Sequence, residues 1–136
     1  FCNQQNLPGA AHWLRLQWQE ELGHATRLID YVTERGCEVT LERIEAPPAR
    51  FGSLAAIFEQ VLSHEQQVTA AIYRLYDLAV SEKDYAAQAL LQWYVAEQVE
   101  EEKSAAEILA MLRLAGDSGA ALLMIDRQLA QRAASS

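Results

Sequence analysis

The stretch Glu20-Glu21-Leu22-Gly23-His24 places two carboxylates and an imidazole inside a segment with a helical period. Apolar residues on either side, such as Leu14 and Leu28, recur along one helix face, and Glu21 and His24 fall on that same face. An ionised glutamate in an apolar interior needs a cation or hydrogen-bond donors. Glu-x-x-His is the ligand spacing by which helical bundles hold pairs of iron or manganese ions. Taken alone, however, the same pair also occurs on exposed helix faces.

The composition fits one compact helical domain. The 136 residues contain 51% hydrophobic side chains but only 3 Pro and 6 Gly, and long stretches rich in Ala, Leu, Glu and Gln favour helices over strands. We therefore predict a single all-α domain over residues 1–136. The 19 acidic and 11 basic residues give a net charge of -8, which argues against a nucleic-acid partner and favours cations.

The cysteines and the apolar runs indicate in which cellular compartment the protein is expected. Cys2 and Cys37 are widely separated and form no CxxC motif, so we expect neither a disulfide framework nor a thiolate zinc site. A reducing cytoplasm is the default compartment. No apolar run approaches the roughly 18 residues expected of a membrane span, so no membrane partner is expected.

Four helices are predicted from the periodicity, at about residues 10–35, 53–80, 84–115 and 119–130. Asn6, Pro8 and Gly9 predict a turn before the first helix, and residues 131–136 predict a frayed tail. Ser53 is the predicted N-cap of the second helix.

The connections predict how the helices run. The 16 residues from 37 to 52 are long enough to return along the whole bundle, so the second helix is predicted to lie parallel to the first. The short break at residues 81–84 joins neighbouring helix ends, and it predicts that the third helix is antiparallel to the second.

Acidic residues interrupt three of the predicted apolar faces at matched depth. Glu21 lies 11 residues after Ala10, and Glu65 lies 11 residues after Leu54, which follows the predicted N-cap; Glu65 lies 16 residues before Ser81, and Glu101 lies 17 residues after Asp84. Helices that pack as predicted would bring these carboxylates to one layer. Oxygen-rich ligands with one imidazole suit iron or manganese better than zinc. The chemistry indicated is oxidation of a metal ion.

Four motifs distributed over essentially the whole chain resemble the bacterial non-haem ferritins. They are Gln19-Glu20-Glu21-Leu22-Gly23-His24-Ala25, His64-Glu65-Gln66, Leu91-Gln92-Trp93-Tyr94-Val95 with Glu97-Gln98-Val99-Glu100-Glu101-Glu102-Lys103, and Leu114-Ala115-Gly116-Asp117-Ser118-Gly119. The resemblance implies a ferritin-like four-helix bundle with a long crossover connection and a short C-terminal fifth helix at residues 119–130. In this family a further N-terminal helix supplies another carboxylate to the first iron, and most of that helix is expected to be missing from this chain.

The resemblance also implies roles for particular residues. Glu21 would bridge two irons, with His24 on the first iron, Glu65 and Glu101 on the second, and Gln98 beside the pair. Glu20, Glu97 and Glu100 would form a third iron site together with Glu101.

The function implied by the resemblance is iron storage. A homo-oligomeric, twenty-four-subunit hollow shell would oxidise Fe(II) with O2 or H2O2 as a ferroxidase and deposit ferric mineral inside. Neither Met111 nor Met124 lies on the first long helix, where haem-binding relatives carry an axial methionine, so no haem is expected. The alternatives are a ferritin-like di-metal oxidase or peroxide-scavenging protein that stores no mineral, and a metal-free helical interaction module.

Overall fold

A computed structural model describes residues 1–48 and 50–133 of the chain. A short 3-10 helix, Cys2–Gln5, precedes four α-helices: α1 (Pro8–Glu34), α2 (Leu54–Ser81), α3 (Tyr85–Ala115) and α4 (Gly119–Leu129). The described residues contain no β-strand, and the all-α prediction is confirmed. The chain divides into two compact units, residues 1–51 with 118–136 and residues 52–117.

The second unit is a helical hairpin of α2 and α3. The Ser53 Oγ accepts a hydrogen bond from the Ala56 amide at 3.1 Å, as expected of the predicted N-cap. The Asp84 carboxylate caps α3 in the same way, accepting a hydrogen bond from the Ala87 amide at 3.0 Å. These caps satisfy amides that have no partner within the first turn of a helix. Only residues 82–84 separate the two helices.

Contacts along the hairpin fix its direction. The guanidinium of Arg113, late in α3, binds Glu59, early in α2, at 3.1 Å. Nearer the turn, the Thr69 hydroxyl donates to the Glu102 carboxylate at 2.5 Å. Later residues of α3 therefore contact earlier residues of α2, which makes the two helices antiparallel.

The buried apolar residues of the hairpin recur at helical spacing. Each large side chain that is fully removed from water stabilises the fold by about 1.5–3 kcal/mol. The buried apolar residues of the hairpin include Leu54, Ile57, Phe58, Ile72, Leu91, Tyr94, Ile108, Leu109 and Leu112.

The start of the first unit differs from the predicted turn. Helix α1 begins at Pro8, so Pro8 and Gly9 belong to the helix and the predicted turn at these two residues is wrong. Proline suits the first helical position, because its fixed φ matches the helix and the missing N–H would have no intrahelical partner. Gly9 serves close packing instead of a turn, since a Cβ at this position would lie 1.8 Å from the main-chain oxygen of Asp126.

Helix α4 supplies the cap that α1 lacks in its own sequence. Leu7 precedes α1 and provides no side-chain cap. Instead, the Asp126 carboxylate, only 6% exposed, accepts a hydrogen bond from the Ala10 amide at 2.8 Å. A carboxylate at this position satisfies an unpaired amide and is also stabilised by the positive end of the helix dipole.

Gly36 follows the end of α1 with a φ of 74°, a left-handed conformation that glycine adopts without steric cost. The connection to α2 that follows contains no helix among its described residues. Its side chains Leu41 and Ile44 are exposed. The parallel arrangement of α1 and α2 and the single domain stay predictions.

Both cysteines are free thiols. Cys2 is buried, and this desolvation raises the pKa of its thiol because burial disfavours the charged thiolate. Cys37 is exposed. Among the described residues, no helix is both long enough and apolar enough to cross a membrane.

Candidate metal centre

Glu21 and His24 form a pair of potential metal ligands on α1. They are three residues apart, so both side chains project from one face of the helix. The Glu21 Oε2 lies 3.7 Å from the His24 Nδ1. Two metal–ligand bonds of about 2.1 Å each could span this separation, so one cation could bind both atoms. The Gln17 amide donates to the other Glu21 oxygen, Oε1, at 3.1 Å.

Glu65 is a carboxylate in the interior of the second unit. Its side chain is only 3% exposed, although it follows the exposed His64 directly. The Gln98 amide donates to the Glu65 main-chain oxygen at 3.1 Å and to its Oε2 at 3.3 Å. The His64 Nδ1 lies 3.9 Å from the other carboxylate oxygen, Oε1. Carboxylate oxygens are ligands that suit iron and other hard cations.

Glu101 adds a second buried carboxylate to the same unit. It lies on α3 three residues after Gln98, on the same side of the helix, and both residues are buried. Thr69, one helical turn after Glu65 on α2, lies 3.3 Å from the Gln98 Nε2. The hairpin thus combines two buried carboxylates, one amide and one hydroxyl.

The residues predicted for a third iron site have varied surroundings. Glu100 is 71% exposed and lies 3.7 Å from Lys103, the arrangement of an ordinary solvated helix face. Glu97 is half-buried. Glu20 pairs with the guanidinium of Arg132, and both side chains are largely shielded from water. A cation at Glu20 would have to share this carboxylate with Arg132.

Three residues in contact with the predicted ligands were assigned no role from the sequence patterns. Gln17 and Thr69 each lie four residues from a predicted ligand, so the i,i+4 helical spacing could have identified them. Arg132 offers no such signal, because it lies 112 residues from Glu20 and falls in the segment predicted to be a frayed tail. That prediction is wrong for Arg132, whose contacts fix it on α1; residues 134–136 lie outside the described part of the chain.

The fold is all-helical, and its long helices carry carboxylate and histidine side chains that could bind a metal ion; comparison with known proteins identifies the class of protein to which it belongs. Residues 1–115 match the family model of the ferritin-like domain. The chain therefore belongs to the ferritin-like family.

The relatives agree with this assignment. A bacterial non-heme ferritin of Bacteroides fragilis strain 638R is 39% identical over 132 residues, which cover 97% of this chain and 82% of the relative. One from Escherichia coli strain CFT073 is 41% identical over 129 residues, which cover 95% and 78%. An open-pore ferritin from the archaeon Archaeoglobus fulgidus superposes with a TM-score of 0.96 at 47% identity, covering 98% of this chain and 82% of that structure. The predicted ferritin-like fold is confirmed.

Proposed function

We propose that this chain is the subunit of an iron-storing ferritin that oxidises Fe(II) and deposits the product as ferric mineral. Membership of the ferritin-like family supports iron storage in general. The observation that carries the proposal is a pair of buried carboxylates in one helical hairpin, Glu65 on α2 and Glu101 on α3. Carboxylates removed from water are typical metal ligands, because a bound cation offsets the cost of burying their charge.

The family likeness supports a distribution of the ligands over two irons. Glu21 would bridge the two ions, His24 would bind the first, and Glu65 and Glu101 would bind the second, with Gln98 beside them. Carboxylates and one imidazole form a donor set that suits iron. Glu20, Glu97, Glu100 and Glu101 would bind a third iron.

The proposed reaction is an electron transfer from iron to oxygen. Two Fe(II) ions held close together each give up one electron, and O2 accepts the two electrons together with two protons from water to form H2O2. H2O2 could serve as the oxidant in turn. The carboxylates of the site would neutralise the charge that increases as Fe(II) becomes Fe(III). Storage would follow in the cavity of a twenty-four-subunit homo-oligomeric shell in the cytoplasm.

Iron loading tests this function directly. We expect the metal-free protein to oxidise added Fe(II) in air faster than a protein-free control, and to retain far more iron after desalting than its proposed sites can hold. Light scattering should show a large shell. Oxidation without such iron retention would favour a di-metal oxidase, whereas oxidation no faster than the control would contradict both enzyme functions and favour a helical interaction module.

Replacement of Glu97 or Glu100 by alanine tests the third site separately. The two irons held by the other ligands should still oxidise, but the ratio of iron oxidised to O2 consumed should change because the third iron would no longer contribute. Fe(II) oxidation with simultaneous oxygen-electrode measurement gives this ratio. Glu107 is exposed on the same helix, and its replacement by alanine is the matched control. An unchanged ratio in both variants would show that Glu97 and Glu100 are ordinary solvated acids.

A further inference from the structure

Arg132, which follows α4, is bound against one face of α1. Its guanidinium carbon lies 4.3 Å from the centroid of the Trp13 ring, within the range of a cation–π contact. Its Nη1 donates to the Gln17 Oε1 at 2.9 Å, and its Nη2 donates to the Glu20 carboxylate. The planar guanidinium can serve these acceptors together because its donors are arranged in a rigid fork.

Arg132 determines which way the Gln17 amide faces. A guanidinium carries donors only, so the Gln17 carbonyl oxygen must face Arg132 and the amide nitrogen must face away. That nitrogen lies 3.1 Å from the Glu21 Oε1. The hydrogen bonds therefore run from Arg132 through Gln17 to Glu21 in one direction, and they join residues that are 111 positions apart in the sequence.

The last of these hydrogen bonds, from Gln17 to Glu21, fixes one oxygen of a proposed metal ligand. With Oε1 held by Gln17, the other oxygen of Glu21 lies on the side of His24, 3.7 Å from its Nδ1. Gln17 is only 7% exposed, so water has little access to compete for its amide. The amide thereby restricts the rotation of the Glu21 side chain before any metal binds.

We propose that Gln17 and Arg132 are positioning residues for the Glu21–His24 pair: Arg132 orients the Gln17 amide, and the amide orients the Glu21 carboxylate toward His24. This inference rests on the proposed function, because it assumes that Glu21 and His24 bind a metal ion. It adds a connection between the segment after α4 and the metal ligands of α1. Groups that orient metal ligands in this way typically change metal affinity 10- to 100-fold when they are removed.

Two variants separate orientation from charge and packing. Gln17→Leu removes the amide but keeps a helix-forming side chain of similar size at a buried position, and it leaves the pair of Arg132 with Glu20 in place. Arg132→Lys keeps the positive charge near Glu20, but a single ammonium lacks the fork that serves Gln17 and Glu20 together. The matched controls are Gln19→Leu and Arg127→Lys, which alter exposed residues of α1 and α4.

Co2+ is the probe, because its visible absorption reports the geometry of its ligands. The part of the Co2+ absorption that is lost in the His24→Ala variant is assigned to the Glu21–His24 site. We expect Gln17→Leu and Arg132→Lys each to weaken the binding that gives this signal, by about tenfold, and to alter its spectrum. Gln19→Leu and Arg127→Lys should change neither. Because both variants act through one amide, Arg132→Lys should have no additional effect in the Gln17→Leu background.

Each other outcome has a distinct meaning. If His24→Ala and Glu21→Ala leave Co2+ binding unchanged, the proposed metal ligands are wrong, and this inference is wrong with them. If those two variants remove the signal while Gln17→Leu keeps wild-type affinity and spectrum, the positioning role alone is wrong. The effects of Gln17→Leu and Arg132→Lys on Co2+ affinity could instead add in the double variant and scale with its loss of thermal stability. That result would overturn the positioning role and leave a structural one.

Discussion

Replacement of Glu65 or Glu101 by alanine is expected to abolish rapid Fe(II) oxidation while the helices remain formed. Both side chains are buried in the α2–α3 hairpin, and both are proposed to bind the same iron. Loss of groups that merely orient a metal ligand already costs 10- to 100-fold, so loss of a ligand should lower the initial oxidation rate by more than about 100-fold. The rate is measured by stopped-flow absorbance after Fe(II) is mixed with aerated protein.

The helices should survive these changes because they do not depend on the two charges. The helices are held by main-chain hydrogen bonds, by the caps at Ser53 and Asp84 and by buried apolar side chains, and neither substitution removes any of these. Circular dichroism should therefore show wild-type helix content. Glu65→Gln is a second variant, nearly equal in shape, and it should fail in the same way because a neutral amide is a weaker ligand for iron.

Glu107→Ala is the matched control for this test. Glu107 is exposed on α3, six residues after Glu101, and its removal changes the net charge equally. The control should oxidise Fe(II) at the wild-type rate. Wild-type rates for the Glu65 and Glu101 variants as well would show that these residues do not form the oxidation site.

The helices themselves could be predicted because their signals are local. Periodicity of apolar residues placed each one, and the caps at Ser53 and Asp84 act within three residues of their own positions. Each predicted end lies within two residues of the observed one. The burial of Glu65 and Glu101 was indicated in the same way, because both interrupt an apolar face.

The contacts between α1 and the region of α4 could not be predicted from local patterns. Asp126 lies in the predicted helix at residues 119–130, where no local signal distinguishes it, yet it caps a helix that begins 118 residues earlier. Arg132 had no periodic neighbours at all. A partner so far away in sequence is set by tertiary packing, and neither propensity nor spacing reports it. Pro8 and Gly9 illustrate the same limit, because residues typical of turns also suit the first turn of a tightly packed helix.

The second large effect is expected at Gly9, where alanine should weaken the packing of α4 on α1. The added Cβ would lie 1.8 Å from the main-chain oxygen of Asp126 and 3.0 Å from the Ala130 nitrogen. Because these atoms belong to the backbone of α4, no side-chain rotation can relieve the overlap. Overpacking typically costs 1–3 kcal/mol, and we expect a loss of at least about 2 kcal/mol in the free energy of unfolding. Urea denaturation followed by circular dichroism measures it.

Gly23→Ala is the matched control, because Gly23 lies in the same helix and a Cβ there meets no atom within 4 Å. Alanine at an open helical position should stabilise the protein by about 0.5–1 kcal/mol, so the two substitutions should have opposite signs. The Ala10 amide locates the effect, since it donates to Asp126 at 2.8 Å. Its hydrogen exchange should become faster in Gly9→Ala and stay unchanged in Gly23→Ala. Wild-type stability of Gly9→Ala with a protected Ala10 amide would contradict the close contact between α1 and α4.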